Sequence, residues 1–200
     1  MGRKPAIPST SEAERTRMEF QEFDKIARLS RECVITEKID GTNGQIAIGE
    51  DGEFCVGSRN RWLTLETGDN FGLLLWATLH KDELIAGLGP GRHYGEWWGA
   101  GIQRRYGLTD KRFSLFNTNR WNTETPPPAC CHVVPVLYRG PFETGAVDNT
   151  LAFLAGQGSM AAPGFMKPEG VCIYHVALNR YFKKTIEKDA EPKSRAAATV

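Results

Sequence analysis

The sequence predicts an α+β fold built on antiparallel sheets. Short runs rich in β-branched or aromatic residues recur along the chain, most of them a short turn apart. Twenty-one glycines and eleven prolines supply those turns and suit a sheet-rich fold better than a helical bundle. The order of strand-like and helix-like segments is mixed. A chain of 200 residues is one domain and buries about 70% of its unfolded surface without disulfides or metals. We place that domain at 1–187. Beyond Glu187 the composition turns to Lys, Glu, Pro, Ser and Ala, which predicts a mobile tail over 188–200.

Ser11-x-x-Glu14 has the form of a capping box, so a polar helix is expected within Glu12 to Leu29. Cys33 to Glu37 reads as a strand ending at the Gly-rich turn Asp40 to Gly44. Gln45–Gly49 and Glu53–Gly57 read as a hairpin around a two-residue Asp51-Gly52 turn. Apolar residues at Phe71, Leu74, Leu75, Leu79, Leu84 and Ile85 predict one helix within Asn70 to Leu88. Arg92–Trp98 and Arg112–Asn117 are aromatic-rich strands. After Pro126-Pro127-Pro128 another strand is expected over Cys131–Tyr138, then a short helix capped by Asp148 and running to Ala155. Gly170–Val176 and Arg180–Ile186 complete the pattern as a strand pair joined through Leu178-Asn179.

Forty per cent hydrophobic and 24% charged residues exclude a disordered, fibrous or membrane-spanning chain. The net charge is +1, so no global field draws nucleic acid and any polyanion site must be local. Five cysteines show no CxxC and no paired Cys/His spacing, which argues against structural zinc and for free thiols in a reducing compartment. Cys130-Cys131 reads as packing, and His93 and His132 as core histidines. The first ten residues lack the apolar stretch of a secretion signal, and Ala6 breaks the myristoylation pattern. The longest apolar run, Phe71 to Leu79, is far short of the ~20 residues that span a bilayer. A soluble, cytoplasmic protein is expected.

Lys38-Ile39-Asp40-Gly41 places a lysine at a strand end, directly before a turn, where it can project into a cleft. Other boxes follow in order: Ser58-Arg59; His93-Tyr-Gly-Glu96-Trp-Trp-Gly99; Arg112-Phe-Ser-Leu-Phe116-Asn117; Glu169-Gly-Val-Cys-Ile-Tyr174; and Tyr181-Phe-Lys183-Lys184-Thr185. This succession resembles the covalent nucleotidyltransferase superfamily of ATP-dependent ligases and capping enzymes, over about residues 20 to 187. Lys38 to Asn43 is similar to the phage-type RNA ligase branch that includes the second T4 RNA ligase. DNA ligases and capping enzymes usually carry Arg where Asn43 stands.

The resemblance implies two antiparallel sheets flanked by helices with the nucleotide between them. It implies that Lys38 attacks the ATP α-phosphorus and carries AMP to a 5′-phosphate end, which a 3′-hydroxyl then attacks. A free lysine is neutral in only roughly one molecule in 2,500 at pH 7, so burial or cationic neighbours must activate it. Lys183, Lys184 and Arg59 are the candidate cations, whereas Asp40 opposes the shift. By the same resemblance Lys183 or Lys184 holds the α-phosphate, although the family separates its two lysines by one residue and here they are adjacent. Glu169 helps bind the catalytic Mg²⁺ or Mn²⁺, Glu96 binds a ribose hydroxyl, Phe116 stacks on adenine, and Arg59 contacts ribose or the acceptor phosphate. Glu37, Ile39 and Asn43, around Lys38, also fall against the nucleotide.

Arg61, Arg104, Arg105, Lys111, Arg112 and Arg120, interleaved with Trp62 and Tyr106, suit a groove that tracks a nucleic-acid backbone. The expected partners are ATP and RNA ends, including nicked duplex, with the protein a monomer. Family members often carry a further carboxy-terminal domain, and with so few residues after Lys184 none is expected here. The same boxes would also serve a small ATP-dependent DNA ligase. A nucleic-acid-binding module of the same fold would instead have lost Lys38, Glu96, Glu169 or the final lysines Lys183 and Lys184, and all are present.

Overall fold

The computed structural model describes residues 21–23, 25–187 and 189. Two sheets form the body. One holds β1 (Glu32–Lys38), β7 (Val136–Pro141), β8 (Gly170–His175) and β9 (Arg180–Thr185), in the order β7-β1-β8-β9 and antiparallel throughout. The other holds β2 (Thr42–Ile48), β3 (Phe54–Ser58), β4 (Gly91–Gly99), β5 (Lys111–Leu115) and β6 (Cys131–Val133), in the order β3-β2-β4-β5-β6. All its pairs are antiparallel except β5–β6, which is parallel. The expected α+β architecture is what the chain adopts.

Cys33, Val34, Ile35 and Glu37 of β1 are all buried, on both faces of the strand. A strand covered on both sides reads as a continuous rather than alternating run. Cys33 and Ile35 pack with Val171 and Ile173 against Val147 and Leu154 of α3 (Thr144–Gln157). The opposite face of β1 looks toward the second sheet, whose own outer face buries Ile46, Ile48, Trp97, Phe113 and Leu115 against α1 (Leu73–Leu79) and α2 (Lys81–Leu88). Between the sheets, Ile39, Trp98, Tyr106, Val134 and Ala162 form a third cluster that closes one end of the cleft.

The chain crosses between sheets twice, and both crossings matter for the site. Ile39-Asp40-Gly41 carries it from β1 to β2. A Cβ on Gly41 would stand 2.5 Å from the Trp97 carbonyl oxygen and 2.7 Å from Trp98 Cβ, so only glycine fits there. The return crossing corrects an expectation: Cys131–Tyr138 is two strands, β6 and β7, in different sheets. Pro135 separates them; it has no N–H for a ladder, and its carbonyl accepts from Glu37 N at 2.9 Å.

Other expectations are also corrected. The Asn70–Leu88 helix is two helices kinked at His80, whose φ of −102° and ψ of 13° leave the helical basin. Asp148 does not cap α3; it lies one turn inside and pairs with Lys184. The hairpin turns through Gly49 to Gly52, with Gly52 N donating to Gly49 O at 3.0 Å and Gly52 at φ 83°. That is a three-residue loop, a turn plus a glycine bulge, rather than a two-residue turn. Residues 21–23 and 25–29 are not helical, with Phe23 and Ile26 exposed. A short helix with no buried face is marginal in water. The remainder of that expected helix and the tail over 188–200, save residue 189, lie outside the described residues. No described helix is long and apolar enough to cross a membrane.

Candidate active site

Lys38 ends β1 directly opposite Gly170, so Glu169, the residue before β8, stands beside it. Lys38 Nζ donates to Glu169 Oε2 at 2.5 Å, with the two side chains 19% and 8% exposed. A buried carboxylate without a partner is costly, and the ammonium supplies that partner. The adjacent turn is fixed by a second ion pair: Arg104 Nε donates to Asp40 Oδ2 at 3.0 Å, and Tyr106 Oη accepts from Asp40 N at 2.7 Å. Asp40, expected to oppose activation of Lys38, therefore has its own cation.

Across the crossing, β2 and β4 bring Asn43 and Glu96 into direct register. Glu96 accepts from Gly41 N at 3.1 Å and from Asn43 Nδ2 at 3.2 Å. Its carboxyl is pushed up to about 7 by burial, against the opposing pull of Lys38 and the Gly41 N–H; Glu169 and Asp40 raise it further. Three acidic groups and one lysine thus share a poorly hydrated patch, and near neutral pH Glu96 is poised between its two states.

Strand alternation separates the two adjacent lysines. Lys183 pairs in register with Cys172, which pairs with Thr36, on the face that carries Lys38. The Cys172 thiol is pushed up to about 11, chiefly by burial, and both Lys38 and Lys183 pull it back down. Lys184 is on the opposite face, bound to Asp148 of α3 at 2.6 Å. Only Lys183 shares a face with the Lys38 end of the cleft.

The cleft continues past these groups as two adjoining cavities. A cavity of about 310 Å³ is lined by Asn43, Gln45, Ser58, Arg59, Tyr94, Phe116 and Tyr181. A larger one, about 550 Å³, adds Val34, Thr36 and Asn117 to Trp121 and shares Tyr94, Phe116 and Tyr181. The smaller is the better nucleotide candidate, because Asn43 in its wall ties it to Glu96. Three aromatic rings border it, and the sequence had singled out only Phe116. The donors near Lys38 are carboxylate oxygens, which suit a hard dication that keeps most of its waters and takes phosphate oxygens, and Glu169 offers one such oxygen.

Several expected site residues are spent elsewhere. The Glu37 carboxylate is 1% exposed and accepts from Ser159 Oγ at 2.6 Å, Met160 N at 2.8 Å and Ala161 N at 2.9 Å. The Ile39 side chain is core. Only the main chain of either could face a nucleotide. Of the basic groove, Arg104 clamps Asp40 and the Lys167 carbonyl, Lys111 donates to the Phe71 carbonyl, Arg112 pairs with Asp110, and Arg120 donates to the Leu88 carbonyl. Tyr106 is buried rather than available for stacking, and burial raises its hydroxyl above the usual range. Arg59, Arg61 and Arg105 remain exposed. His93 is buried and bonded to the Gly89 carbonyl, as expected, whereas His132 is exposed.

The RNA ligase family model matches residues 31–186. The chain belongs to the RNA ligase family. No curated protein matches it. Among solved structures it is similar to RNA ligase variants from Naegleria gruberi. One, with AMP and Mn, has a TM-score of 0.59 at 19% identity and covers 78% of this chain and 50% of its own. Another, with ATP and Mn, has a TM-score of 0.56 at 18% identity over the same shares. At that identity the likeness establishes the shared fold, and the chain spans about half the length of these neighbours. Sequence reasoning missed the Glu37 anchor and the Arg104 clamp because neither has a local signature; their partners are 122 and 64 residues away.

Proposed function

We propose that the chain is the nucleotidyltransferase domain of an ATP-dependent RNA ligase, sealing 5′-phosphate to 3′-hydroxyl ends through lysyl-AMP and adenylylated RNA. In this reading the domain is 1–187. The observation that carries it is Lys38 at the junction of the two sheets, with Glu169 and Glu96 beside it and Lys183 on its face of the cleft.

Lys38 rests in an ion pair with Glu169. It must leave Glu169 and give up a proton to solvent before its lone pair attacks the α-phosphorus. A P–N bond then forms as the bond to pyrophosphate breaks. Lys183 places positive charge where the α-phosphate oxygens gain it. Glu96, held by Gly41 N and Asn43, accepts from a ribose hydroxyl; Phe116, with Tyr94 and Tyr181, offers the base a stacking wall. Arg59 at the cavity rim meets ribose or the acceptor phosphate. A divalent cation, Mg²⁺ or Mn²⁺, supplies further positive charge at the phosphates when bound, with Glu169 as its ligand. The RNA 5′-phosphate oxygen next displaces Lys38 from phosphorus, and the 3′-hydroxyl finally expels AMP. RNA, in a nick or at free ends, reaches the site past Arg61 and Arg105; a cytoplasmic monomer suffices for this chemistry.

Incubation with α-labelled ATP and Mg²⁺ followed by a denaturing gel tests this. Label should bind the intact protein and vanish in Lys38→Ala, while Lys38→Ala should still join RNA that already carries AMP on its 5′-phosphate. Equal labelling of Lys38→Ala would sink the assignment. Faster sealing of an all-DNA nick than of one with a ribose 3′ terminus would favour DNA as substrate.

A further inference from the structure

On the helix side of the five-stranded sheet, away from the cleft, three side chains with different donor atoms meet. His80 forms the kink between α1 and α2, Glu83 lies in the first turn of α2, and Cys130 arrives on the loop before β6. A ring nitrogen of His80, a Glu83 carboxylate oxygen and Cys130 Sγ all lie within 4.8 Å of one another. Glu83 Oε1 accepts from Cys130 N at 2.8 Å, and its Oε2 stands 3.4 Å from His80 Nδ1. One oxygen is thus tied to the loop while the other faces the imidazole. The His80 ring lies 5.3 Å from the Trp76 ring, centroid to centroid. Pro128 closes on α2 so tightly that a Cβ on Gly87 would stand 2.5 Å from Pro128 Cγ. Helix and loop therefore hold the donors together by packing.

We propose that His80, Glu83 and Cys130 form a binding site for a borderline-soft divalent cation, Zn²⁺ by its donor set, with water as fourth ligand. One nitrogen, one oxygen and one sulfur make a poor site for Mg²⁺ and a good one for Zn²⁺. Tetrahedral bonds of about 2.0–2.3 Å put ligand atoms roughly 3.3–3.8 Å apart, a small contraction from the present spread. The Cys130 thiol binds as thiolate, and its proton goes to solvent. Cys131, with its Sγ 3.9 Å from that of Cys130 but buried in the core, stays a packing residue. The ion would staple the loop after β5 to α2, and that loop's Asn117 to Trp121 line the larger cavity. The inference is independent of the ligase reading.

Co²⁺ serves as the spectroscopic probe. Titrated into the whole protein, it should give thiolate-to-cobalt charge transfer and tetrahedral d–d bands that saturate at one ion per chain and are displaced by Zn²⁺. Cys130→Ser should abolish the charge-transfer band. His80→Ala should weaken binding by more than the ~10–100-fold that loss of an outer-shell contact costs. Cys131→Ser and Glu169→Gln should leave the band in place, and far-UV circular dichroism checks that each variant folds. If Cys130→Ser does not fold, His80→Ala and a Zn²⁺-dependent rise in the wild-type Tm carry the test. Absence of the band in wild type, its survival in Cys130→Ser, or its loss in Cys131→Ser overturns the proposal.

Discussion

Lys183→Ala should cripple transfer of AMP to Lys38, whereas Lys184→Ala should leave it within a few-fold of wild type. The two residues are neighbours of one charge, so the contrast tests strand orientation alone. Lys183 is two strands and two residues away from Lys38 through the Lys183–Cys172–Thr36 register. At ~4.8 Å between strands and ~3.3 Å along them, the two Cα atoms are about 12 Å apart. Two extended lysine side chains can converge on one phosphate across that gap. A unit charge 4 Å from a phosphate oxygen is worth about 4 kcal/mol at an effective dielectric of 20. Loss of one such contact in related chemistry costs ~10²–10³ in rate. Lys184 points to α3 and holds Asp148 at 2.6 Å in solvent, so its removal touches no phosphate. The assay is single-turnover formation of labelled protein at saturating ATP, comparing Lys183→Ala, Lys184→Ala and Asp148→Asn. If Lys184→Ala lost as much rate as Lys183→Ala, the assignment of faces in β9 would be wrong.

The carboxyl of Glu96 titrates at about 7 in the fold, above its ordinary 4.5, so the folded state holds the extra proton between those values. Stability therefore falls as pH rises through that window; Glu96→Gln should be more stable than wild type at pH 8, by up to the order of 3 kcal/mol, and the gain should fade toward pH 4.5. Urea melts at the two pH values check this, and a gain independent of pH would refute it. Glu37→Ala strips three donors of their buried acceptor and should cost ~2–5 kcal/mol in chemical denaturation; a loss under about 0.5 kcal/mol, the scale of a surface change, would mean that the 159–161 loop is held otherwise. Arg61→Ala and Arg105→Ala should each lower RNA affinity and reduce its salt slope by about one, while Arg104→Ala should keep the slope and slow adenylylation by freeing Asp40. A reduced slope in Arg104→Ala would return that residue to the RNA surface.

What the sequence by itself determined is the part of this protein written in short segments. Lys38 before a glycine-requiring turn, Glu96 in an aromatic strand and Glu169 just before β8 are local: backbone direction at a strand end and the type of the residue suffice to mark them as candidates. Family membership follows from the same boxes, because their order along the chain is a one-dimensional property. The α+β class was legible for a similar reason, since periodicity and turn residues act over a few positions. Period two even places Lys183 and Lys184 on opposite faces, but which face meets the cleft depends on where α3 packs. Only the tertiary structure decided that, as it decided that Cys131–Tyr138 divides at Pro135 between two sheets. Charge is the hardest case. Arg104, Lys111, Arg112 and Arg120 read as a basic stripe in one dimension. In three they are consumed by Asp40, the Phe71 carbonyl, Asp110 and the Leu88 carbonyl. A long cationic side chain takes whichever acceptor the fold brings within reach, and that acceptor can lie anywhere along the chain. Glu37 shows the same rule from the acidic side, its carboxylate claimed by donors more than a hundred residues away.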